Sequence, residues 1–290
     1  MLVIKLRTLI IYTLITLLTV YTFEFFLSRN ITASASLSED GNVELPILMY
    51  HGITEDKNKV SKYVISKNMF EDDIKYISHM GYTAVTVDEV ISYVNGEGEL
   101  PPRPVMITFD DGYYNNYCYA YPILKEYNTK GVISIIGKFT DMYTELEEEN
   151  PAYSHVTWTE VTEMMESGLV EFQNHSYDLH SLDKGRKGSG KKKGETEEEY
   201  QKMLKADLGL LQEKMRENTG YTPTAFAYPF GNINEASYSV LDELGFMASF
   251  TCEEKVNIIK KGDLSCLKCM NRFLRSDKKS AQKILEGIEK

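Results

Sequence analysis

Val105-Met106-Ile107-Thr108-Phe109-Asp110-Asp111-Gly112 is the stretch that decides the fold. Its first five residues are apolar or β-branched, which is typical of a buried strand. Two adjacent carboxylates follow at once, and such charges repel each other unless a cation or a proton lies between them. The stretch therefore predicts a core strand that delivers Asp110 and Asp111 to a site with a chemical purpose.

Six further apolar runs of this kind lie along the chain, and amphipathic stretches separate most of them. Strands that alternate with helices indicate a parallel sheet. We therefore predict an α/β fold, a distorted β/α barrel of about seven βα units, in place of two separate domains. The six runs are Ile47–Tyr50, Thr83–Val87, Val132–Ile136, Leu169–Phe172, Ala225–Tyr228 and Phe246–Phe250.

Polar clusters follow four of these strands at the same end. The loops at the carboxyl ends of barrel strands converge, so the clusters are expected to meet there. One aspartate with two histidines gives three ligands and leaves room for water, as in a catalytic zinc site. The same set also suits Fe(II) oxygen chemistry. The clusters are His51, Asp110-Asp111, the pair His175 and His180, and Pro229-Phe230-Gly231.

Each cluster also has an ordinary structural interpretation. Asp-Asp-Gly and Pro-Phe-Gly are common turns, and a loop histidine alone is more often not a ligand. His51 also fits a hydrogen-bonded core position. Because all four clusters are expected at one edge of the sheet, a functional site is a better explanation than four unrelated turns and loops. His79 and His155 do not belong to any of these clusters, and we assign them structural roles.

Thr108-Phe109-Asp110-Asp111-Gly112, then His-Ser-x-x-x-His over 175–180, then Tyr228-Pro229-Phe230-Gly231 resemble the polysaccharide deacetylase family. Its NodB-homology domain is also called carbohydrate esterase family four, and the resemblance covers residues 45–272. It implies hydrolysis of N-acetyl groups from amino sugars in a cell-surface polysaccharide, with release of acetate. The polymers that it allows are poly-N-acetylglucosamine, peptidoglycan and chitin-like oligomers. It also implies one divalent metal ion, with Zn²⁺ first and Co, Ni or Fe as alternatives.

The resemblance further implies a role for each motif residue. Asp110 is the expected general base, and the backbone N–H of Phe230 is expected to bind the oxyanion. Tyr228 and Pro229 are expected to contact the substrate. The expected metal ligands are Asp111, His175 and His180.

Three departures separate the chain from the commoner family pattern. Its two motif histidines are five residues apart, which is similar to the poly-N-acetylglucosamine branch. Ala227 stands where the usual motif has an arginine, and we expect Arg272 to replace it. No histidine follows His180 to act as the general acid, so His51 is the expected acid. These departures leave a non-catalytic glycan-binding relative as an alternative.

The amino terminus is typical of a membrane segment. Lys5 and Arg7 precede an uncharged run over residues 8–23, and Ala33-Ser34-Ala35 fits a signal cleavage site. We predict a single hydrophobic helix over 1–27 as anchor or signal, a linker over 28–44 and the deacetylase domain over 45–290. Because basic flanks stay inside, the domain is expected outside the cytoplasm, membrane-anchored or secreted after cleavage near Ala35.

The composition agrees with a folded, exported protein. The 290 residues are 42% hydrophobic and 26% charged, which excludes a disordered or low-complexity chain. A net charge of −11 argues against a nucleic-acid partner. Cys266-x-x-Cys269 is either a disulfide candidate or core packing, with Cys252 close by in sequence. The sequence does not determine the oligomeric state.

Overall fold

The computed structural model describes Tyr12, Thr16, residues 42–182 and residues 185–289. The predicted membrane segment over 1–27 and most of the predicted linker lie outside the described residues. Within the described part, no helix combines the length and the apolar character needed to cross a membrane. The anchor or signal segment therefore stays a prediction.

The described residues contain twelve short strands, and eight of them form one parallel sheet. The strands are β1 (Val43–Leu45), β2 (Ile47–Tyr50), β3 (Gly52–Thr54), β4 (Val64–Ser66), β5 (Thr83–Ala84), β6 (Pro104–Phe109), β7 (Gly131–Ile135), β8 (Val170–Asn174), β9 (Ala225–Ala227), β10 (Ala248–Phe250), β11 (Asn257–Ile259) and β12 (Phe273–Leu274). In the parallel sheet β10, β9, β8, β7, β6, β2 and β12 lie side by side in this order, and β5 pairs with the start of β6.

All seven predicted runs contribute a strand to this sheet, which confirms the α/β class with a curved, parallel half-barrel. Sequence reasoning missed β12, because two residues are too short for a periodic signal. Phe273 and Leu274 pair with β2. Met270 donates its backbone N–H to Ser249 of β10 at 2.7 Å and accepts from Thr251, directly after that strand, at 2.8 Å. The segment 270–274 therefore links the two edges of the sheet.

Most of the helices lie between strands of the sheet, and the longest packs against β8 and β9. It begins at a capping box between Thr196 and Glu199 and ends at Gly220. Its buried residues recur every three or four positions, as expected of a helix that packs by one face. The helices are α1 (Lys67–His79), α2 (Val87–Asn95), α3 (Tyr121–Glu126), α4 (Gly137–Leu146), α5 (Trp158–Glu166), α6 (Glu197–Thr219), α7 (Tyr238–Glu243) and α8 (Ala281–Ile288).

The folded domain begins before the predicted boundary at residue 45. Val43 and Glu44, which the sequence assigns to the linker, lie in β1 and pair antiparallel with β11. Val43 and Leu45 are buried and Glu44 faces solvent, so the strand has one apolar face. Three residues are too few for this alternation to be recognised in the sequence.

Candidate active site

A tight turn presents Asp110 and Asp111 at the carboxyl end of β6. All six residues of the strand are buried, and the backbone then turns left-handed at Asp111 (φ 72°) and Gly112 (φ 69°). A Cβ atom on Gly112 would lie 2.7 Å from the side chain of Ile135, so only glycine fits. The backbone N–H of Val156 donates to the carbonyl of Gly112 at 2.9 Å and holds the turn.

Asp111, His175 and His180 converge as predicted. Asp111 Oδ1 lies 3.5 Å from Nε2 of His175 and 3.3 Å from Nε2 of His180. These separations exceed those of charge-assisted hydrogen bonds, and Asp111 Oδ1 has no hydrogen-bond partner among the described residues. A buried carboxylate oxygen that lacks a hydrogen-bond partner and lies beside two ring nitrogens is what a site for a divalent metal ion requires.

The second nitrogen of His175 fixes how its ring faces this site. Nδ1 lies 2.7 Å from the carbonyl oxygen of Ala227 and donates to it, so the neutral ring carries its proton there. Nε2 then keeps a lone pair for a metal ion, as in most protein metal sites. Ala227, which stands where the family pattern has arginine, thus orients the His175 ring through its backbone carbonyl.

Burial and the neighbouring charges set the ionisation of these groups. Burial alone would raise the pKa of Asp111, but His175 and His180 outweigh it and hold that pKa well below its usual range. For His175, burial lowers the pKa, yet Asp110 and Asp111 outweigh it and the net shift is upward. Burial and the nearby His175 lower the pKa of His180. Asp111 is therefore anionic at neutral pH, as a metal ligand must be.

Arg272 lies against Asp110, in the place where the sequence expects a substitute for the missing motif arginine. Its two terminal nitrogens donate to the two carboxylate oxygens of Asp110 at 2.6 and 2.8 Å. The Arg272 side chain is fully buried, and its Nε donates to the carbonyl of Thr251 at 2.9 Å. Burial would raise the pKa of Asp110, but the guanidinium outweighs it and the pKa lies below its usual value.

His51 stands at the carboxyl end of β2 and lines the same cleft. Asn116 donates to its backbone carbonyl at 2.8 Å, and the Tyr63 ring lies 5.0 Å from its imidazole ring. The buried Nδ1 of His51 has no hydrogen-bond partner among the described residues. Burial lowers the pKa of His51, although Asp110 and Asp111 oppose this shift. Its role as the general acid stays a prediction.

The turn after β9 places Phe230 in the cleft but turns its neighbours away. Phe230 has a left-handed backbone (φ 58°), and its ring lies 4.4 Å from that of His180. Tyr228 is fully buried against α6, with its hydroxyl 2.6 Å from Ser237 Oγ. Pro229 is also buried, next to Gly188. The structure therefore does not bring the side chains of Tyr228 and Pro229 into the cleft, and their substrate contacts stay a prediction. Side chains alternate along a strand, and Tyr228 shares the outer face with Phe226.

The site opens into a cleft of about 640 Å³. Tyr113 is one lining residue that sequence reasoning missed, although it directly follows Asp-Asp-Gly. Burial and the negative charge of Asp111 raise the pKa of Tyr113. Six other missed residues come from loops that carry no motif: Lys62, Tyr63, Leu182, Lys187, Cys252 and Glu254. Three more line the cleft from strands: Met49, Val64 and Leu274.

The cysteines form no disulfide bond among the described residues. Cys266 packs against the core cluster that contains Leu267, and Cys269 packs against the one that contains Tyr228. Of the two interpretations of Cys266-x-x-Cys269, the structure has the packing one.

The fold and the site together define an α/β half-barrel protein in which three residues that could hold a metal ion lie beside an arginine-paired carboxylate. The family model described as polysaccharide deacetylase matches residues 97–249. The chain belongs to the polysaccharide deacetylase family, which confirms the resemblance predicted from its motifs.

Similar proteins include a poly-β-1,6-N-acetyl-D-glucosamine N-deacetylase of Staphylococcus aureus, 30% identical over 197 residues. That alignment covers 68% of this chain and 64% of the relative, so the chain spans less than two thirds of the relative's length. A de-N-acetylase of Aggregatibacter actinomycetemcomitans has a similar structure, with 25% identity and a TM-score of 0.72 over 84% of this chain and 99% of that one. The structure of IcaB from Ammonifex degensii is also similar, with 25% identity and a TM-score of 0.70. The match covers 85% of this chain and 97% of that one.

Proposed function

We propose that this chain is a metal-dependent N-deacetylase of a cell-surface glycan built from N-acetylglucosamine, with the β-1,6-linked polymer as the first candidate. The observation that carries the proposal is the unpartnered Asp111 Oδ1 facing His175 and His180 beside the Asp110–Arg272 pair. The Staphylococcus aureus relative, named for deacetylation of that polymer, supports the choice of substrate.

The metal ion proposed for this site is Zn²⁺, with Co, Ni or Fe as alternatives, held by Asp111, His175 and His180. When bound, such an ion polarises a carbonyl oxygen and lowers the pKa of a water molecule. Two imidazoles and one carboxylate suit zinc and leave a coordination position open to solvent in the cleft.

Asp110 is the proposed general base, which accepts a proton from the attacking water. Arg272 keeps it anionic and orients both of its oxygens. Each carboxylate oxygen has two lone-pair sites, and Arg272 takes one on each oxygen, so acceptor capacity remains. Proton transfer of this kind contributes about 10²–10⁴-fold to a rate.

Two further groups complete the proposed chemistry. The backbone N–H of Phe230 would donate to the oxyanion that forms on the acetyl carbonyl. His51 would protonate the leaving nitrogen of the sugar. Burial lowers the pKa of His51, so its protonated ring gives up a proton more readily than a free imidazolium, and the charges of Asp110 and Asp111 offset part of that shift.

The cleft supports a sugar as the substrate. Two exposed aromatic rings, Tyr63 at 48% and Phe230 at 38% exposure, line it beside the proposed metal site. Aromatic rings offer sugar rings a flat apolar surface, and the nearby histidines and aspartates supply polar contacts. We also propose that the domain acts outside the cytoplasm, as the predicted segment 1–27 implies. Protease digestion of the domain on intact cells would test this location.

Acetate release by the full chain tests the proposed activity. The substrates are β-1,6-linked N-acetylglucosamine oligomers, peptidoglycan and chitin oligomers, each with and without added Zn²⁺. Asp110→Asn should abolish release and keep the metal, whereas Asp72→Asn, the same change at an exposed position, should leave release unaltered. Bound metal with no release from any substrate would overturn the proposal in favour of a glycan-binding relative.

A further inference from the structure

The loop between the two histidines is anchored to α6 by Asp207. The carboxylate of Asp207 accepts two backbone N–H groups on separate oxygens, from Tyr177 at 2.8 Å and from Asp178 at 2.9 Å. Two amides on one half-buried carboxylate make a strong, charge-assisted contact. The contact lies within the four residues that separate His175 from His180.

The opposite side of the loop is held by the start of α4. Gly137 and Lys138 donate their backbone N–H groups to the carbonyls of Ser176 and Tyr177, at 3.1 and 3.0 Å. The loop backbone is therefore clamped between two helices: its carbonyls face α4, and its amides face Asp207 on α6.

His180 depends on this clamp more than His175 does. The His175 side chain is 2% exposed and is tied to β9 by its bond to Ala227. The His180 side chain is 20% exposed and follows the loop, two residues after Asp178. The five-residue spacing lengthens the loop, and a longer loop has more backbone freedom to lose.

We propose that Asp207 is a positioning residue for the metal site: it holds the loop that carries His180 against His175 and Asp111. The inference rests on the metal site of the proposed function and extends it to a carboxylate that is not a ligand. Residues outside the ligand set that orient ligands in this way typically change metal affinity by about 10–100-fold.

Asp207→Asn is the direct test. Asparagine keeps the shape, but it places an NH₂ group against one of the two backbone N–H donors. Glu217→Gln, an exposed change on the same helix that removes the same charge, is the matched control. Zn²⁺ affinity of the full chain, measured by competition with a chelator, should fall about 10–100-fold in Asp207→Asn and stay unchanged in the control.

Hydrogen exchange of the Tyr177 and Asp178 amides gives a second readout that a general loss of stability would not single out. Both amides should exchange faster in Asp207→Asn, while amides in the middle of α6 do not. If that variant fails to fold, added Zn²⁺ should still slow these two amides in the wild-type chain, because binding and loop closure are linked. Equal exchange with and without Zn²⁺ would overturn the inference.

The outcomes separate this inference from the proposed function. A wild-type chain that binds Zn²⁺ and releases acetate, with unchanged affinity in Asp207→Asn, overturns the positioning role alone. A wild-type chain that takes up no metal overturns both. Lower affinity and faster loop exchange in the variant support the inference even where no tested glycan releases acetate.

Discussion

Arg272 forms a bidentate ion pair with Asp110 from 162 residues further along the chain. Three residues later, Arg275 forms a second buried ion pair, with Asp73 of α1. The two pairs flank β12, but only the first involves a residue of the cleft. A buried arginine–aspartate ion pair therefore lies on each side of this two-residue strand. The pair before β12 belongs to the site, and the pair after it holds α1.

Arg272→Met and Arg275→Met should separate these two roles. Each leaves a buried carboxylate without its partner, which costs about 3–5 kcal/mol of stability. Only Arg272→Met removes the cation that lowers the pKa of Asp110. The base is then protonated up to a higher pH, so the acidic limb of kcat/KM moves to higher pH. Urea unfolding and pH–rate profiles check both effects. Profiles shifted equally in the two variants would contradict the assignment.

His175→Ala should remove the metal rather than only the activity. The variant deletes a ligand whose Nε2 faces Asp111 Oδ1 and leaves two ligands. Bound zinc, measured by elemental analysis of the purified chain, should fall from about one per chain toward none. His79→Ala, on the exposed face of α1, should retain wild-type zinc content. Full zinc content in His175→Ala would remove this residue from the ligand set.

Gly188→Ala should impair catalysis through the Phe230 turn. A Cβ at Gly188 would lie 2.7 Å from the carbonyl oxygen of Pro229, so the turn must move. Gly185→Ala has the same left-handed backbone strain, but its Cβ meets nothing within 4 Å. Loss of one oxyanion donor typically lowers kcat by about 10²–10³-fold. We expect the decrease in Gly188→Ala to approach that size and the decrease in Gly185→Ala to be far smaller. Equal kcat values would show that catalysis tolerates movement of this turn.

Glu171→Gln should flatten the pH dependence of stability. The buried Glu171 carboxylate accepts the N–H groups of Val87 and Asp88 at the start of α2. Burial, reinforced by Asp88, raises its pKa from 4.5 to about 7. A raised pKa means that its contribution is complete below pH 4.5 and is lost as the pH rises to about 7.

The measurement is the free energy of unfolding, from urea titrations at several pH values across that window. The wild-type chain should lose stability with rising pH relative to Glu171→Gln. Glutamine keeps only one acceptor oxygen, so the variant is less stable at every pH. The test is therefore the difference between the two chains in how steeply the free energy of unfolding changes with pH. Parallel slopes would mean that Glu171 titrates at its ordinary pKa.

The sequence by itself determined seven of the eight strands of the parallel sheet and the end of that sheet where the candidate metal ligands lie. Apolar runs such as Val105–Phe109 are local patterns, and the polar residues directly after them must lie at one edge of a parallel sheet. The Asp110-Asp111 pair, His175 and His180 could therefore be placed together without knowing how the strands are ordered, and the family resemblance then pointed to Asp111 as the ligand. The predicted membrane segment over 1–27 likewise rests on the sequence alone.

The tertiary structure decided what depends on distant parts of the chain. The sequence named Arg272 only as a candidate, and the pairing of β12 with β2 is what carries it to Asp110. Tyr228 matched its motif, yet strand alternation turned it into the core. Asp207 has no motif and reaches the His180 loop only because α6 packs beside it. Such contacts depend on strand order and helix packing, which the local periodicity of the sequence does not encode.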